Sequence, residues 1–498
     1  MQSLTSLSFK SIDPTNCHAS AHPTESGSGV AFEIQDTESE EKHARTVSEI
    51  TTRHLKRLQT SASDYIGKPV TAAVVTVPTD FTDAQKAALV DAAKATDLEV
   101  LQFIHEPVAA LLAYDARTND AAPKDKIVVV GDFGGTRSDV AVIASRGGMY
   151  TILATAHDYE LGGAQLDQTL IDYAAKEFMK KNKTDPRENE RGLAKLKLEA
   201  EAVKKSLSIG ASASFSIESL ANGVDFSLSV NRTRYDLLAG KVFGAFTRLI
   251  EGAIQKADLN LLDVGEVILS GGTSHTPRIA KNIESTFPGR VTVLAPASTP
   301  SAINPSELSV RGAAIQASLI SEYEKDDIEQ STHPAVTVTP HLRKAMGIAI
   351  VSETLKEEVF ELLIEAETAV PVRKSAQIPP PKNGGDVLVK LCEGISEIKV
   401  TKPESTPKAK TTGNRDDDDE DDSDDEDDEE EEITEKLWKI GNQLAEVAVK
   451  GVKKGGKVEV QVNVGADLSV QVTAREVGGK GGVRGSIQAG NVTENGSA

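Results

Sequence analysis

The chain has 498 residues, 39% of them hydrophobic, so we expect two to four domains with sizeable cores. It has only two cysteines, Cys17 and Cys392, no basic-then-apolar leader, and no apolar run near the roughly 18 residues that span a membrane. These features exclude a disulfide framework beyond one bridge and predict a cytosolic protein that does not contact a membrane.

The net charge of -21 is concentrated in one segment. Residues 416–432 contain 16 acidic side chains among 17 residues, and without them the chain carries only about -5. Such a run repels itself and buries nothing, so we interpret it as a disordered spacer. A docking strip for a basic ribosomal or histone surface is the alternative, and direct nucleic-acid binding by this strip is excluded by its sign.

The first 29 residues are polar and have no period, whereas strand-like and helix-like segments alternate from Val30 onward. This alternation predicts a mostly parallel sheet with both faces covered. Thr82 is the predicted N-cap of one helix. The predicted strands lie at 70–77, 100–104, 127–133, 140–144, 150–154, 267–269 and 291–294. The predicted helices lie at 83–97, 107–116, 165–181, 190–208, 234–257, from 277, and at 306–323.

The pattern changes near residues 337–340 to short strands with proline- and glycine-bearing turns, which predict a small β domain. Ile433–Lys450 has apolar residues at helical spacing and is predicted to be an amphipathic helix. The single tryptophan, Trp438, lies beside its apolar face, where we expect core or partner packing. The predicted strands include 357–364 and 386–391, followed by a hairpin of 458–464 and 468–473.

Two segments with the same design carry the chemical signal. Val128–Thr136 and Val267–Thr273 each run from a buried apolar strand straight into Gly-Gly. Such a turn lets backbone N–H groups approach a phosphate without obstruction by a Cβ atom. Two copies in matching contexts predict a nucleotide site, in which Asp132 would hold magnesium through water.

Several ordered motifs then resemble the 70-kilodalton heat-shock chaperone family over about residues 30–322, and more weakly to about residue 485. They are Thr76–Phe81, Ile104–Ala110 with Ala113 and Tyr114, Leu161–Asp167, Glu201–Ser208, Gly271 with Pro277, and Asn304-Pro305. The resemblance implies a two-lobed actin-like α/β ATPase fold that binds ATP between the lobes. It also implies a small β-sandwich domain after it, here without the family's helical lid.

The domain boundaries follow from that resemblance. We expect an actin-like nucleotide-binding domain that lacks the family's first strands, a linker, a reduced β-sandwich domain in two parts, an acidic insert and a flexible tail. In that order, their residues are 1–324, 325–341, 342–402 with 433–486, 403–432 and 487–498. The missing strands indicate either a short N-terminus or an incomplete gene model.

The resemblance also assigns nucleotide contacts, position by position. One side of the adenosine would be contacted by Glu201, Lys204, Lys205 and Ser208. The other side would be contacted by Gly271, Gly272 and His275, and the phosphates by Gly134, Gly135 and Thr136. Each has an alternative reading as a helix-surface charge or a turn glycine.

The departures from the family bear on activity. Its phosphate loop reads Asp-Leu-Gly-Gly-Gly-Thr-Phe-Asp, whereas here Thr136 replaces the third glycine and Arg137 replaces the hydroxyl-bearing threonine. The acidic positions Glu106, Asp132 and Asp139 are kept. Phosphoryl transfer needs positioned charge around the γ-phosphate, so these substitutions and the missing first loop predict ATP binding without hydrolysis. We assign no catalytic residue.

Together the departures resemble one branch, the atypical chaperone of the fungal ribosome-associated complex. That branch pairs with a J-domain protein, zuotin, and stimulates a second, active chaperone at the ribosome, which implies these partners and a ribosome-associated location in the cytoplasm. The segment Ala335–Pro340 lacks the family's acid-flanked linker pattern. The rival hypotheses are an active ATP-dependent folding chaperone and a sugar-kinase-like enzyme.

Two other candidates carry less weight. Cys17, His18 and His22 have no fourth ligand nearby for a metal site. His105 beside Glu106 could form an acid–base pair, although a structural loop histidine is the simpler reading.

Overall fold

The structure is a computed structural model. It describes residues 22–26, 29–35, 42–117, 125–146, 149–287, 289, 291–321, 323, 342, 344–351, 358–378, 384–401, 433–479 and 482–487. The chain divides into two compact units between residues 338 and 339, inside the segment predicted as a linker. That linker, the insert 403–432 and the tail after Ile487 lie outside the described residues, as do Cys17 and His18.

The first unit opens with an antiparallel sheet of β1 (His22–Ser26), β2 (Gly29–Gln35) and β3 (Lys42–Thr46). Helix α1 (Val47–Ile66) follows, and Thr46 and Glu49 form a capping box at its start. A described strand therefore already lies at His22–Ser26, so the prediction that regular structure starts only at Val30 was wrong. Backbone pairing with β2 makes β1 a strand although its sequence is polar.

Next come β4 (Ala72–Val77), α2 (Asp83–Lys94), β5 (Glu99–His105) and α3 (Glu106–Asp115). The two strands pair in parallel, and no further strand pairs with β4 among the described residues. Thr82 caps α2 as predicted, in a capping box with Gln85. Because β5 runs directly into α3, Glu106 lies at the carboxyl end of a strand and at the first turn of a helix.

The central sheet of this unit has the order β12-β11-β6-β7-β8. Its strands are β6 (Lys126–Phe133), β7 (Ser138–Arg146), β8 (Met149–Asp158), β11 (Glu266–Ser270) and β12 (Thr292–Leu294). Strand β11 runs parallel to β6 and β12, but β7 runs antiparallel to both of its neighbours. The predicted mostly parallel sheet is therefore mixed, because short turns cannot make a parallel crossover.

Both faces of this sheet are buried. Val129 and Val142 contribute to the larger core, whereas Val128 and Ile143, one residue away, contribute to a second core on the other face. The alternation explains why the strands read as continuous apolar runs. The sheet is contacted by helices α3, α7 (Gly240–Lys256) and α8 (Pro277–Thr286). Helix α4 (Gly163–Asn182) packs against α5 (Glu190–Ile209), and α9 (Leu308–Ile320) packs against α3.

Two elements differ from the prediction. The helix predicted at 234–257 is two helices, α6 (Arg232–Leu238) and α7. A hairpin of β9 (Ser212–Ala221) and β10 (Val224–Asn231) was not predicted. Its turn residues Asn222 and Gly223 both have positive φ, and Asn-Gly is a strong hairpin signal that the sequence offered.

The second unit contains two four-stranded sheets, ordered β14-β13-β16-β17 and β15-β18-β19-β20. Their strands are β13 (Met346–Val351), β14 (Glu358–Ile364), β15 (Val372–Ile378), β16 (Gly385–Thr401), β17 (Ile433–Val452), β18 (Val458–Val464), β19 (Val470–Glu476) and β20 (Val483–Ile487). One core, rich in valine, joins the two sheets. The predicted hairpin of β18 and β19 is confirmed.

The amphipathic helix predicted at Ile433–Lys450 was wrong, because this segment is strand β17 and pairs with β16 along its length. Val447 and Val449 are buried while Lys450 is exposed, which is the two-residue period of a strand. Register shifts between the two strands interrupt the two-residue period, and the apolar residues then fall at a spacing similar to that of a helix. Trp438 packs against Phe360, at 6.2 Å between ring centroids.

All regular elements described after residue 342 are strands. The part of the chain that the structure describes contains no helix long and apolar enough to cross a membrane.

Candidate functional site

Two glycine turns leave the central sheet at the same edge. Strands β6 and β11 are parallel neighbours, and Ser270 lies opposite Asp132 at their carboxyl ends. The turns that follow are joined directly, because the Thr273 hydroxyl donates to the Gly134 carbonyl at 2.8 Å. The two segments singled out by sequence are therefore brought together.

The second turn can be made only by glycine at its first position. Gly271 has φ of +84°, and a Cβ atom there would stand 2.6 Å from the Asp132 carboxylate and overlap the Phe133 carbonyl. Its N–H donates to the Pro305 carbonyl at 3.0 Å, which ties this turn to the Asn304-Pro305 motif. Gly271 therefore keeps Asp132 and the second turn in close contact.

The first turn packs against the start of helix α4. The N–H of Gly163 donates to the Gly134 carbonyl at 3.0 Å, and that of Ala164 donates to the Gly135 carbonyl at 2.7 Å. The N–H of Gly134 is itself bonded to the Arg137 carbonyl at 3.0 Å, so it is not available to a phosphate. A Cβ atom on Gly135 would meet open space, so this residue faces a free volume as a phosphate contact requires.

Four of the predicted adenosine contacts lie on helix α5, and one of them, Lys204, reaches the start of α4 beside the glycine turns. Its Nζ donates to Asp167 at 2.8 Å and to the Gly163 carbonyl at 3.1 Å. Gly163 lies between this ammonium and Thr273, since its Cβ position is 3.0 Å from one and 2.9 Å from the other. Helix α5 and both glycine turns therefore meet at Gly163.

The remaining predicted adenosine contacts lie further out. Lys205 pairs with Glu201 at 2.7 Å on the exposed side of α5, and Ser208 donates to the Lys204 carbonyl. His275 lies at the second turn, where its Nε2 is 3.1 Å from Asn304 and 3.3 Å from Ser306. Gly272 has open space at its Cβ position, with only the Ser306 hydroxyl at 3.8 Å.

The three retained acids line one pocket, together with Pro78 and Thr79. Burial raises the pKa of Glu106 to about 7, and the charges of Asp132 and Asp139 add to the effect. Burial, with the charge of Asp139, likewise raises the pKa of Asp132 to about 6. Positive charge near these two carboxyls would therefore be stabilising.

Arg137 takes part in this acidic group rather than pointing away from it. Its Nε donates to Asp139 at 2.7 Å, and its Nη2 bonds to Asp139 and, at 3.1 Å, to Asp80. The guanidinium also lies over the ring of Tyr159, 4.8 Å from its centroid. The sequence identified Arg137 as the residue that replaces the family's threonine, but it did not indicate which side chains Arg137 would bind.

Three residues of the group were missed by sequence: Asp80, His157 and Tyr159. The Tyr159 hydroxyl donates to Asp80 at 2.5 Å, and His157 Nδ1 is 2.6 Å from Asp139. Although burial alone would raise it, the bonds from Tyr159 and Arg137 hold the pKa of Asp80 below its usual range. The available signal was position, since Asp80 belongs to a family motif and Tyr159 directly follows β8. The structural role favoured for His105, over an acid–base pair with Glu106, stays a prediction.

Two acidic side chains of this site suit a magnesium ion, and two others do not. Asp132 and Glu106 offer carboxylate oxygens of the kind that magnesium prefers, and neither forms an ion pair with a cation of the described residues. Asp139 and Asp80, in contrast, already bind the Arg137 guanidinium. The residues present therefore suit a magnesium ion beside Asp132 and not on the Asp139 side; coordination through water stays a prediction.

The comparisons with known proteins agree with one another. A family model described as Hsp70 protein matches residues 23–383. The ribosome-associated complex subunit SSZ1 of Saccharomyces cerevisiae is 43% identical over 481 residues, which cover 97% of this chain and 86% of that protein. A heat shock protein 70 homologue of Schizosaccharomyces pombe is 40% identical over 477 residues, or 95% and 81% of the two chains. Heat shock 70 kDa protein 14 of Homo sapiens is 33% identical over 337 residues, or 68% and 64%.

The matched region contains the motifs on which the resemblance was based, from Thr76–Phe81 to Asn304-Pro305. It confirms the actin-like α/β fold followed by a β domain. The chain is therefore a member of the Hsp70 chaperone family.

Proposed function

We propose that this chain is a non-hydrolysing, ATP-binding subunit that pairs with a ribosome-bound J-domain protein of the zuotin type. In that pair it would stimulate a second, active chaperone during co-translational folding, in the cytoplasm. The relative from Saccharomyces cerevisiae, which is a subunit of the ribosome-associated complex, supports this role. We also propose that the subunit contacts no nucleic acid directly.

The observation that carries the absence of hydrolysis is the ion pairing of Arg137. Hydrolysis requires groups that orient water and stabilise charge as it develops on the γ-phosphate. Asp139 is bonded to Arg137 and His157, and is therefore already engaged. A bulky cation also occupies the position where the family has a small hydroxyl.

ATP would lie across the two glycine turns. Gly135 and Thr136 would approach the phosphates with their backbone, and Gly134 would line them without its N–H, which is bonded to the Arg137 carbonyl. Gly271, Gly272 and His275 would contact the adenosine from one side. The other side would be contacted by Glu201, Lys204, Lys205 and Ser208. The convergence of α5 and both turns at Gly163 supports this arrangement. Magnesium, when bound with the nucleotide, would supply charge neutralisation beside Asp132.

A single-turnover measurement tests the absence of hydrolysis. The full chain is incubated with a substoichiometric amount of labelled ATP and magnesium, with and without a J domain, and bound ATP and ADP are quantified. We expect ATP to stay intact on the protein under both conditions. A Glu106→Gln variant is the matched control, because it removes the charge of one retained acid of the pocket and changes no other residue. Turnover stimulated by the J domain and lost in this variant would instead favour the active folding chaperone.

The partner is tested separately, in the β domain. We propose that this domain holds an extended segment of the J-domain protein, and its sheets end in the edge strands β14, β15, β17 and β20, to which a strand can add. Co-expression with a zuotin-type protein should give a complex that survives purification at high salt. Recovery of the chain as a lone monomer would contradict this pairing.

A further inference from the structure

The nucleotide site combines many acids with one arginine. Asp80, Asp132 and Asp139 all act electrostatically on Glu106, and Arg137 is the cation that opposes them. A nucleotide phosphate is itself strongly anionic, and Asp132 lies only two residues before Gly134 of the first glycine turn. ATP can therefore bind here only where positive charge offsets these carboxylates.

Arg137 is held in a fixed orientation within this group. Its Nε and Nη2 are bonded to Asp139 and Asp80, and the Tyr159 ring lies against the guanidinium plane. Its Nη1 has no hydrogen-bond partner among the residues that the structure describes. The guanidinium therefore keeps donor capacity for an additional anion, such as a phosphate oxygen.

The same carboxylates form the one group of potential metal ligands found in the described part of the chain. Ligand atoms of Asp80, Asp139 and His157 all lie within 4.8 Å of one another. Such a spacing suits a divalent cation. The Arg137 guanidinium already binds two of these three residues, so it takes the place that a metal ion would have.

We propose that Arg137 is a built-in cation of the nucleotide site, and that it supplies the positive charge on the Asp139 side that a divalent metal ion would otherwise supply. ATP then binds with little dependence on magnesium. The inference rests on the proposed ATP binding and adds the reason why a chain that does not hydrolyse ATP can retain it. Arg137 is here a binding residue and has no catalytic role.

The test measures the affinity of the full chain for ATP by isothermal titration calorimetry, once with excess magnesium and once with EDTA. For the wild type, we expect the dissociation constants with magnesium and with EDTA to agree within about threefold. For Arg137→Thr, we expect EDTA to weaken ATP binding by about tenfold or more, which is a normal size for the coupling between two binding sites. Arg137→Lys keeps the charge and should resemble the wild type. Arg187→Thr is the matched control, because Arg187 is also held by two aspartates, Asp172 and Asp185, outside the site.

The outcomes separate this inference from the proposed function. Equal dependence on magnesium in the wild type and Arg137→Thr would overturn the inference while leaving ATP binding in place. A tenfold loss in EDTA for the wild type or for Arg137→Lys would overturn it as well. Failure of the wild type to bind ATP in either buffer would refute both. Should Arg137→Thr fail to fold, as judged by circular dichroism, Arg137→Gln takes its place, because it also removes the charge while keeping a long polar side chain.

Discussion

The contact between helices α3 and α9 predicts a sharp effect of one methyl group. Gly312 lies in α9 against α3, and a Cβ atom built on it would overlap the Ala109 carbonyl group and lie 2.7 Å from the Ala109 Cα. The obstacle is backbone, so a side-chain rotation cannot relieve it. We expect Gly312→Ala to force the two helices apart.

The magnitude follows from two opposing terms. Overpacking of this kind costs about 3 kcal/mol, and the better helix propensity of alanine returns about 1 kcal/mol, so the net loss is about 2 kcal/mol. The matched control is Gly252→Ala in α7, where a Cβ atom meets open space. There the propensity acts alone, and we expect a gain of about 0.5–1 kcal/mol.

The two units allow an internal control in the assay. All described helices lie in the first unit, so the far-ultraviolet circular dichroism at 222 nm follows its unfolding. The only tryptophan, Trp438, lies in the second unit and reports on that unit by fluorescence. Gly312→Ala should lower the melting temperature of the first unit, followed by circular dichroism, by about 4 °C or more. The melting temperature of the second unit, followed by Trp438 fluorescence, should stay unchanged. A melting temperature equal to or above that of Gly252→Ala would refute the packing argument.

Three further predictions concern the acidic pocket, the insert and the β core. Glu106 has a folded-state pKa of about 7 against an ordinary 4.5, so its favourable contribution is complete below pH 4.5 and is lost as the pH rises through 7. Glu106→Gln should therefore exceed the wild type in stability at pH 8 by on the order of 3 kcal/mol, with no advantage near pH 4.5; an advantage independent of pH would contradict this. Deleting residues 416–432 shortens the connection between β16 and β17 from 31 to 14 residues. The smaller loop-closure entropy should change the free energy of unfolding by only about 0.7 kcal/mol. A large drop in melting temperature would refute the spacer interpretation. Val462→Ala removes a fully buried side chain of β18 and should lower the free energy of unfolding, followed by Trp438 fluorescence, by about 2 kcal/mol. Gln461→Ala, at the neighbouring position on the other face, should change that free energy by no more than about 0.5 kcal/mol. Equal effects of the two variants would contradict the strand register.

Much of the first unit could be predicted because its signals are local. Thr82 caps its helix, Pro107 lies in the first turn of α3, and the apolar runs before both glycine turns are strands. The helix wrongly predicted at Ile433–Lys450 shows the limit of such reasoning. Pairing with β16 decides its structure, and that partner precedes it by more than thirty residues.

The candidate site shows the same division. The glycines and acids lie in short motifs, so the sequence identified them, and the fold brings them together at the ends of β5, β6 and β11. The environment of Arg137 depends instead on Asp80, 57 residues earlier, and on Tyr159 after β8. No periodicity or spacing indicates that these side chains meet, because their contact is produced only by the packing of separate strands.

The long hairpin of β16 and β17 offers a practical site for engineering. Thr401 and Ile433 are register partners, so the chain leaves the sheet and returns to it at neighbouring positions. A domain whose own termini are close together, such as a fluorescent protein, can be inserted between such points without stretching the host. A fluorophore placed there would let the chain be followed in living cells while both of its own termini stay unmodified.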